Sequence, residues 1–184
     1  MLYNISTRIG WRFTLFFLAL NFLMQGIILG VSYPACCGLL PPLDVSIMLD
    51  GEKVYGFFNA IGEEGRALYF INQSTLDIIF PLLYAPAYLA LLAQLLKYNH
   101  LLRHPWWLFI CLPIGIALAD FAENLQILYL VSDYPVQHNV LGLSVANFLK
   151  HMLSMVTALV LIGLAVRLLH LKLKPRFNAC RTDT

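Results

Sequence analysis

Charge is scarce in this chain: only 12% of its 184 residues are Asp, Glu, Lys or Arg, against 60% that are hydrophobic. Soluble domains carry roughly a quarter charged residues, so a water-soluble fold is excluded by the apolar surface it would leave wet. Long polar stretches are missing too, which leaves no room for a second, soluble domain. The net charge is only +2 and the basic residues form no arm or stripe, which removes nucleic acid as a partner. Cysteine is limited to Cys36, Cys37, Cys111 and Cys180, with no C-x-x-C pair and no zinc-finger spacing, so neither thioredoxin-like nor zinc-ribbon chemistry is available. A bridge between the adjacent Cys36 and Cys37 would be strained. H-E-x-x-H and G-x-S-x-G are also absent, and with them the best-known zinc-protease and serine-hydrolase sites.

In their place stand four long apolar runs, residues 11–33, 70–96, 106–131 and 143–169. Each exceeds the ~20 residues that a helix needs to cross ~30 Å of hydrocarbon. The runs are unbroken and do not alternate, which selects helices over a β-barrel, the other structure that satisfies its backbone in lipid. The expected fold is therefore all-α: one integral membrane four-helix bundle over residues 1–184, with a connector at 34–69. The first run has a basic start, but its apolar core of about 20 residues is longer than the 7–15 of a secretory signal. Val31-Ser32-Tyr33-Pro34-Ala35-Cys36 resembles a lipoprotein cleavage site, yet the bulky Tyr33 and the proline oppose cleavage, so the run is expected to be retained.

Lys and Arg accumulate on cytoplasmic flanks. Arg8, Arg12, Lys97, Arg103, Arg167, Lys172, Lys174, Arg176 and Arg181 fall on one side, against Lys53, Arg66 and Lys150 on the other, a nine-to-three division that predicts both termini inside. A multi-pass protein of a bacterial plasma membrane is expected. The connector opens with Pro34, Pro41 and Pro42, which break helix, and then mixes aromatic and small residues from Val54 to Ile61. It reads either as a partly helical cap at the outer interface or as a plain tether. Trp106 and Trp107 read as an interfacial belt, and Pro81, Pro86 and Pro113 as helix kinks.

Ionisable groups at membrane depth usually face a bundle interior and mark function. Asp77 follows Gln73 and precedes Tyr84 in the second span; Asp120, Glu123 and Asn124 share one face of the third; Asn147, Lys150 and His151 share one face of the fourth; Asn21 and Gln25 sit one turn apart in the first. At 1.5 Å per residue Gln25, Asp77, Asp120, Glu123, Lys150 and His151 lie roughly 10–17 Å below the outer ends of their spans. Interhelical polar contacts contribute about 0.6–2 kcal/mol each, whereas burying a central Asp or Lys costs about 2.5–3.5 kcal/mol. A purely structural role is therefore the weaker explanation for the cluster.

Asp77, Asp120, Glu123 and His151 are the candidate catalytic groups, with Gln25, Arg66, Gln73, Tyr84, Asn124, Asn147 and Lys150 as binding residues. Arg66 is expected at the rim, three helical turns before Asp77. Convergent polar groups in an apolar cavity suit a membrane lipid or another apolar small molecule, bound or transformed by an isomerase or hydrolase. A divalent ion on the four candidate catalytic groups is the lesser reading; no metal is assigned, and no cofactor is named. The competing expectations are a proton- or ion-coupled transport component, because such relays also use intramembrane acids, and a non-catalytic subunit that pairs with itself or with another membrane protein.

Overall fold

The structure, a computed structural model, describes residues 10–102 and 105–179, with side chains through residue 173. Arg8, Arg103, His104, Cys180 and Arg181 lie outside the described residues. Among those described there is no strand, and four helical stretches are long and apolar enough to cross a membrane: Trp11–Cys37, Gly62–Tyr98, Trp106–Ser132 and Leu141–Leu173. The protein is an all-α, multi-pass membrane bundle.

The first span is built from α1 (Trp11–Ile27), a π-helical turn (Ile28–Ser32) and the short α2 (Tyr33–Cys37). After Gly38, whose positive φ of 61° turns the chain back, the connector makes one 3-10 turn (Leu43–Val45) and then α3 (Gly51–Ala60). Asp50 caps α3 by accepting from the Lys53 amide at 2.8 Å. Gly62, again at positive φ, separates α3 from α4 (Gly62–Ser74). Helix α4 begins with Glu63 and Glu64, favourable charges at an N-terminus. It carries the second span eight residues earlier than the hydropathy pattern predicts, because its polar face hides the helix from a search for apolar runs.

A break at Thr75 leads into α5 (Leu76–Tyr98), where the Thr75 hydroxyl donates back to the Ile71 carbonyl at 2.6 Å. A 3-10 segment (Trp106–Cys111) precedes α6 (Leu112–Ser132), and α7 (Leu141–Ala179) completes the bundle. Pro81 and Pro86 lie inside α5. Pro113 does not kink a helix: it stands in the first turn of α6, where its missing N–H has no intrahelical partner to lose.

The connector is a packed cap. Val54, Tyr55, Phe57 and Phe58 of α3 and Tyr69 of α4 are buried in one apolar cluster with Ile127, Leu130 and Val131 of α6 and Leu143 of α7. The Tyr55 hydroxyl accepts from the His138 amide at 2.6 Å, and the Ser144 hydroxyl donates to the Leu49 carbonyl. At the opposite end Leu92, Ala93, Leu96, Leu102, Ile110 and Leu164 form a second apolar cluster. Between the two, α1 packs on α5, α5 on α6 and α6 on α7, while α1 and α7 scarcely meet. The bundle is open along that side.

Candidate functional site

Between the two apolar clusters lies a cavity of about 330 Å³, within the range of small-molecule sites. Asn21 and Gln25 of α1, Asp44 of the connector, Asp77, Phe80, Tyr84 and Tyr88 of α5, Asp120 and Asn124 of α6, and Lys150, His151, Ser154 and Thr157 of α7 line it. Ile116, Ala158 and Leu161 form its apolar part. Gln25, Ser154 and Ala158 are also exposed, which puts the mouth in the gap between α1 and α7.

The site starts from a missing backbone donor. Pro81 has no N–H to give to the carbonyl four residues earlier, which is that of Asp77. Asn124 supplies the substitute: its amide nitrogen donates to the Asp77 carbonyl at 2.8 Å. That bond joins α5 to α6 beside the Asp77 carboxyl. One turn along α6, Asp120 accepts from the Tyr84 hydroxyl at 3.0 Å and lies 3.3 Å from the Lys150 ammonium. Lys150 also pairs with Glu123 at 2.5 Å, and Asn147 donates to the other Glu123 oxygen at 3.0 Å. Asp120, Glu123, Asn147 and Lys150 thus form one network between α6 and α7.

Not every sequence candidate reaches the cavity. Gln25, Asp77, Tyr84, Asp120, Asn124, Lys150 and His151 line it; Glu123 and Asn147, both fully buried, stand behind Lys150. His151 hydrogen-bonds the Asn147 carbonyl through Nδ1 at 2.9 Å, and because a carbonyl only accepts, Nδ1 carries the proton. It makes no hydrogen bond to Asp77, Asp120 or Glu123, so the four candidate catalytic groups do not form one bonded set. Gln73 is fully buried away from the cavity lining, with neither amide atom bonded among the described residues.

Arg66 is a correction. It does not stand at the rim: its guanidinium donates to the Phe58 carbonyl at 2.9 Å and lies 4.1 Å over the Tyr134 ring. The break at Thr75 interrupts the helix whose register would have carried Arg66 to the face of Asp77. Arg66 holds the cap together instead.

Three residues without a place in the sequence-based site join it. Tyr33 is buried, and its hydroxyl lies 2.8 Å from Asp44 Oδ2 and 3.2 Å from Asp77 Oδ2, linking the connector to α5. Asp44 follows Pro41-Pro42 in a segment without periodicity, and no local signal separates it from the other connector acids. Asn21 is 1% exposed, lines the cavity, and has no hydrogen bond on either amide atom. Its i, i+4 pairing with Gln25 was its only signal. Among the described residues no three His, Cys, Asp or Glu side chains are grouped to hold a metal ion. No protein-family model, curated protein or solved structure matches this chain, so its residues and their geometry are the whole basis for a functional reading.

Proposed function

We propose that the protein binds, and through its carboxyl and imidazole groups can transform, an amphiphile that enters from the bilayer between α1 and α7. The observation that carries this reading is the shape of the cavity. Its polar end lies beside the cap, at Asp44, Asp77, Asp120 and Lys150, and its apolar part is lined by Ile116, Ala158 and Leu161. From Lys150 to Leu161 is 11 residues of α7, about 16 Å along the helix, which suits a polar head with a short length of hydrocarbon. Its mouth opens sideways at the level of the spans, where a membrane-dissolved molecule needs no passage through water.

An isomerase or hydrolase fits the same groups, because an acid and an imidazole can move protons to and from a bound substrate. Transport has less support: the apolar cluster of Leu92, Leu96, Ile110 and Leu164 stands beyond the cavity, and Asn99 beside it is engaged with the Leu164 carbonyl at 3.0 Å. The expected orientation belongs to the same proposal. It places the cap outside and both termini in the cytoplasm of a bacterial cell, with the polar end of the cavity in the outer half of the membrane.

Native mass spectrometry of the protein released from membranes tests the reading. A bound amphiphile is expected on the wild type and on Leu159→Trp, an exposed position that does not line the cavity. It should be lost from Ala158→Trp, which fills the mouth. No bound molecule on any variant, or equal occupancy in all three, would overturn the proposal.

A further inference from the structure

We infer that the polar end of this cavity selects a positively charged amine as the head of its ligand. The inference rests on the cavity being a ligand site and adds the chemistry of the head.

It begins with the partners of each charge. Lys150 is shared between Asp120 and Glu123, at 3.3 and 2.5 Å. Asp44 and Asp77 have no ion-pair partner among the described residues. What stands between them is the Tyr33 hydroxyl, 2.8 Å from one and 3.2 Å from the other. A hydroxyl has one proton to donate, so it satisfies one of these carboxylates at a time. The second oxygen of Asp44 is buried and makes no hydrogen bond. Two carboxylates on the wall of one cavity are thus short of both donors and positive charge.

Asn21 is an independent observation on the same cavity. Its amide is almost wholly buried and unbonded, although a buried amide without a partner is costly. Asn21 lies 12 residues of the first span, about 18 Å, from Tyr33, so it meets the ligand deeper in the cavity and not at the head. An ammonium carries three donors and no acceptor, which matches two carboxylates short of donors. Phe80, Tyr84 and Tyr88 add aromatic walls, which attract a desolvated cation.

Other heads fit less well. A phosphate or carboxylate would add like charge beside Asp44 and Asp77, with only the engaged Lys150 to offset it. A neutral alcohol would leave the carboxylates without a counter-charge. A divalent ion lacks a donor set, since no three acidic, histidine or cysteine side chains converge among the described residues.

The test uses the full chain in zwitterionic nanodiscs and three diazirine probes of equal chain length: an alkylamine, the matched alcohol and the matched carboxylic acid. Labelling is mapped to cavity peptides and competed with the unlabelled compounds; empty nanodiscs correct for partitioning. The amine should label residues near the cavity at concentrations about tenfold lower than the alcohol, the scale of one charge-assisted hydrogen bond. Asp77→Asn and Asp44→Asn should each bring the amine down to the level of the alcohol. Asp44 is on the connector, so Asp44→Asn serves if Asp77→Asn melts early. Equal labelling by alcohol and amine, or an amine preference that survives Asp44→Asn, overturns the inference while leaving the cavity a ligand site. Absence of competable labelling by all three probes overturns the ligand-site reading with it.

Discussion

Single side chains in this bundle answer for backbone and charge that nothing else satisfies. The Asp77 carbonyl loses its helical donor to Pro81 and regains one from Asn124 on the next helix. Asn124→Leu should therefore lower stability by about 1–3 kcal/mol, the cost of a buried unsatisfied acceptor. Pro81→Ala restores the helical N–H, so the double variant should melt above Asn124→Leu alone; no recovery would show that the bond does not carry the load. Lys150 makes a second case. Glu123 is fully buried and, like Asp120, paired with it, so Lys150→Met leaves both carboxylates without their counter-charge and should cost about 3–5 kcal/mol, while Lys150→Met with Glu123→Gln should cost clearly less. Equal melting temperatures for the single and double variants would refute that coupling. Asp77→Asn and Asp120→Asn remove charge without opening a cavity. If these carboxylates act on the ligand, each should lose occupancy at a near-native melting temperature, and the pair together should lose little more than the worse one. Occupancy that falls only in step with stability would make them structural.

Among the elements, the cap is where packing is least forgiving. A Cβ on Gly65 of α4 would lie 2.7 Å from the Cys36 carbonyl of α2 and 2.9 Å from the Ile61 Cβ. Neither the backbone oxygen nor a Cβ can swing aside. Gly65→Ala should therefore cost about 1–3 kcal/mol by overpacking. Gly56 of α3 has open space at the same test, so Gly56→Ala should be neutral or stabilising, as expected for Gly→Ala in an unobstructed helix. Paired detergent melts of the two variants check this, and equal shifts would mean that α4 does not seat on α2 as described. Because the segment between α2 and α3 also delivers Asp44 to Tyr33, loosening this contact should reduce ligand occupancy as well as stability.

For the whole molecule, the proposed orientation rests on the charge distribution. Lys150 is buried in an ion-pair network and so is not a flanking charge, whereas Arg66, engaged with Phe58 and Tyr134, keeps its charge on the cap. In a cysteine-free background, a membrane-impermeant maleimide added to intact cells should label thiols at Asp50 and Asp133 and spare one at Lys97. Labelling at Lys97 would reverse the proposed orientation.

The sequence by itself determined the four spans and the faces on which their polar residues lie. Hydrophobic length and helical periodicity are local properties, and in lipid the backbone must satisfy itself within each helix. It put Asp120, Glu123 and Asn124 on one face and Asn147, Lys150 and His151 on another before any contact was known. The helicity of α4 was less legible, since its amphipathic turns draw their stability from the cap they pack against. Only the tertiary structure decided that Asp44 and Tyr33 belong to the site, that Arg66 does not, and that the cavity opens between the first and last spans. Those outcomes depend on where a turn at Gly38, a break at Thr75 and the order of helix packing bring side chains distant in the chain. A contact between residues 33, 44 and 77 has no period, and so leaves no trace in a one-dimensional pattern.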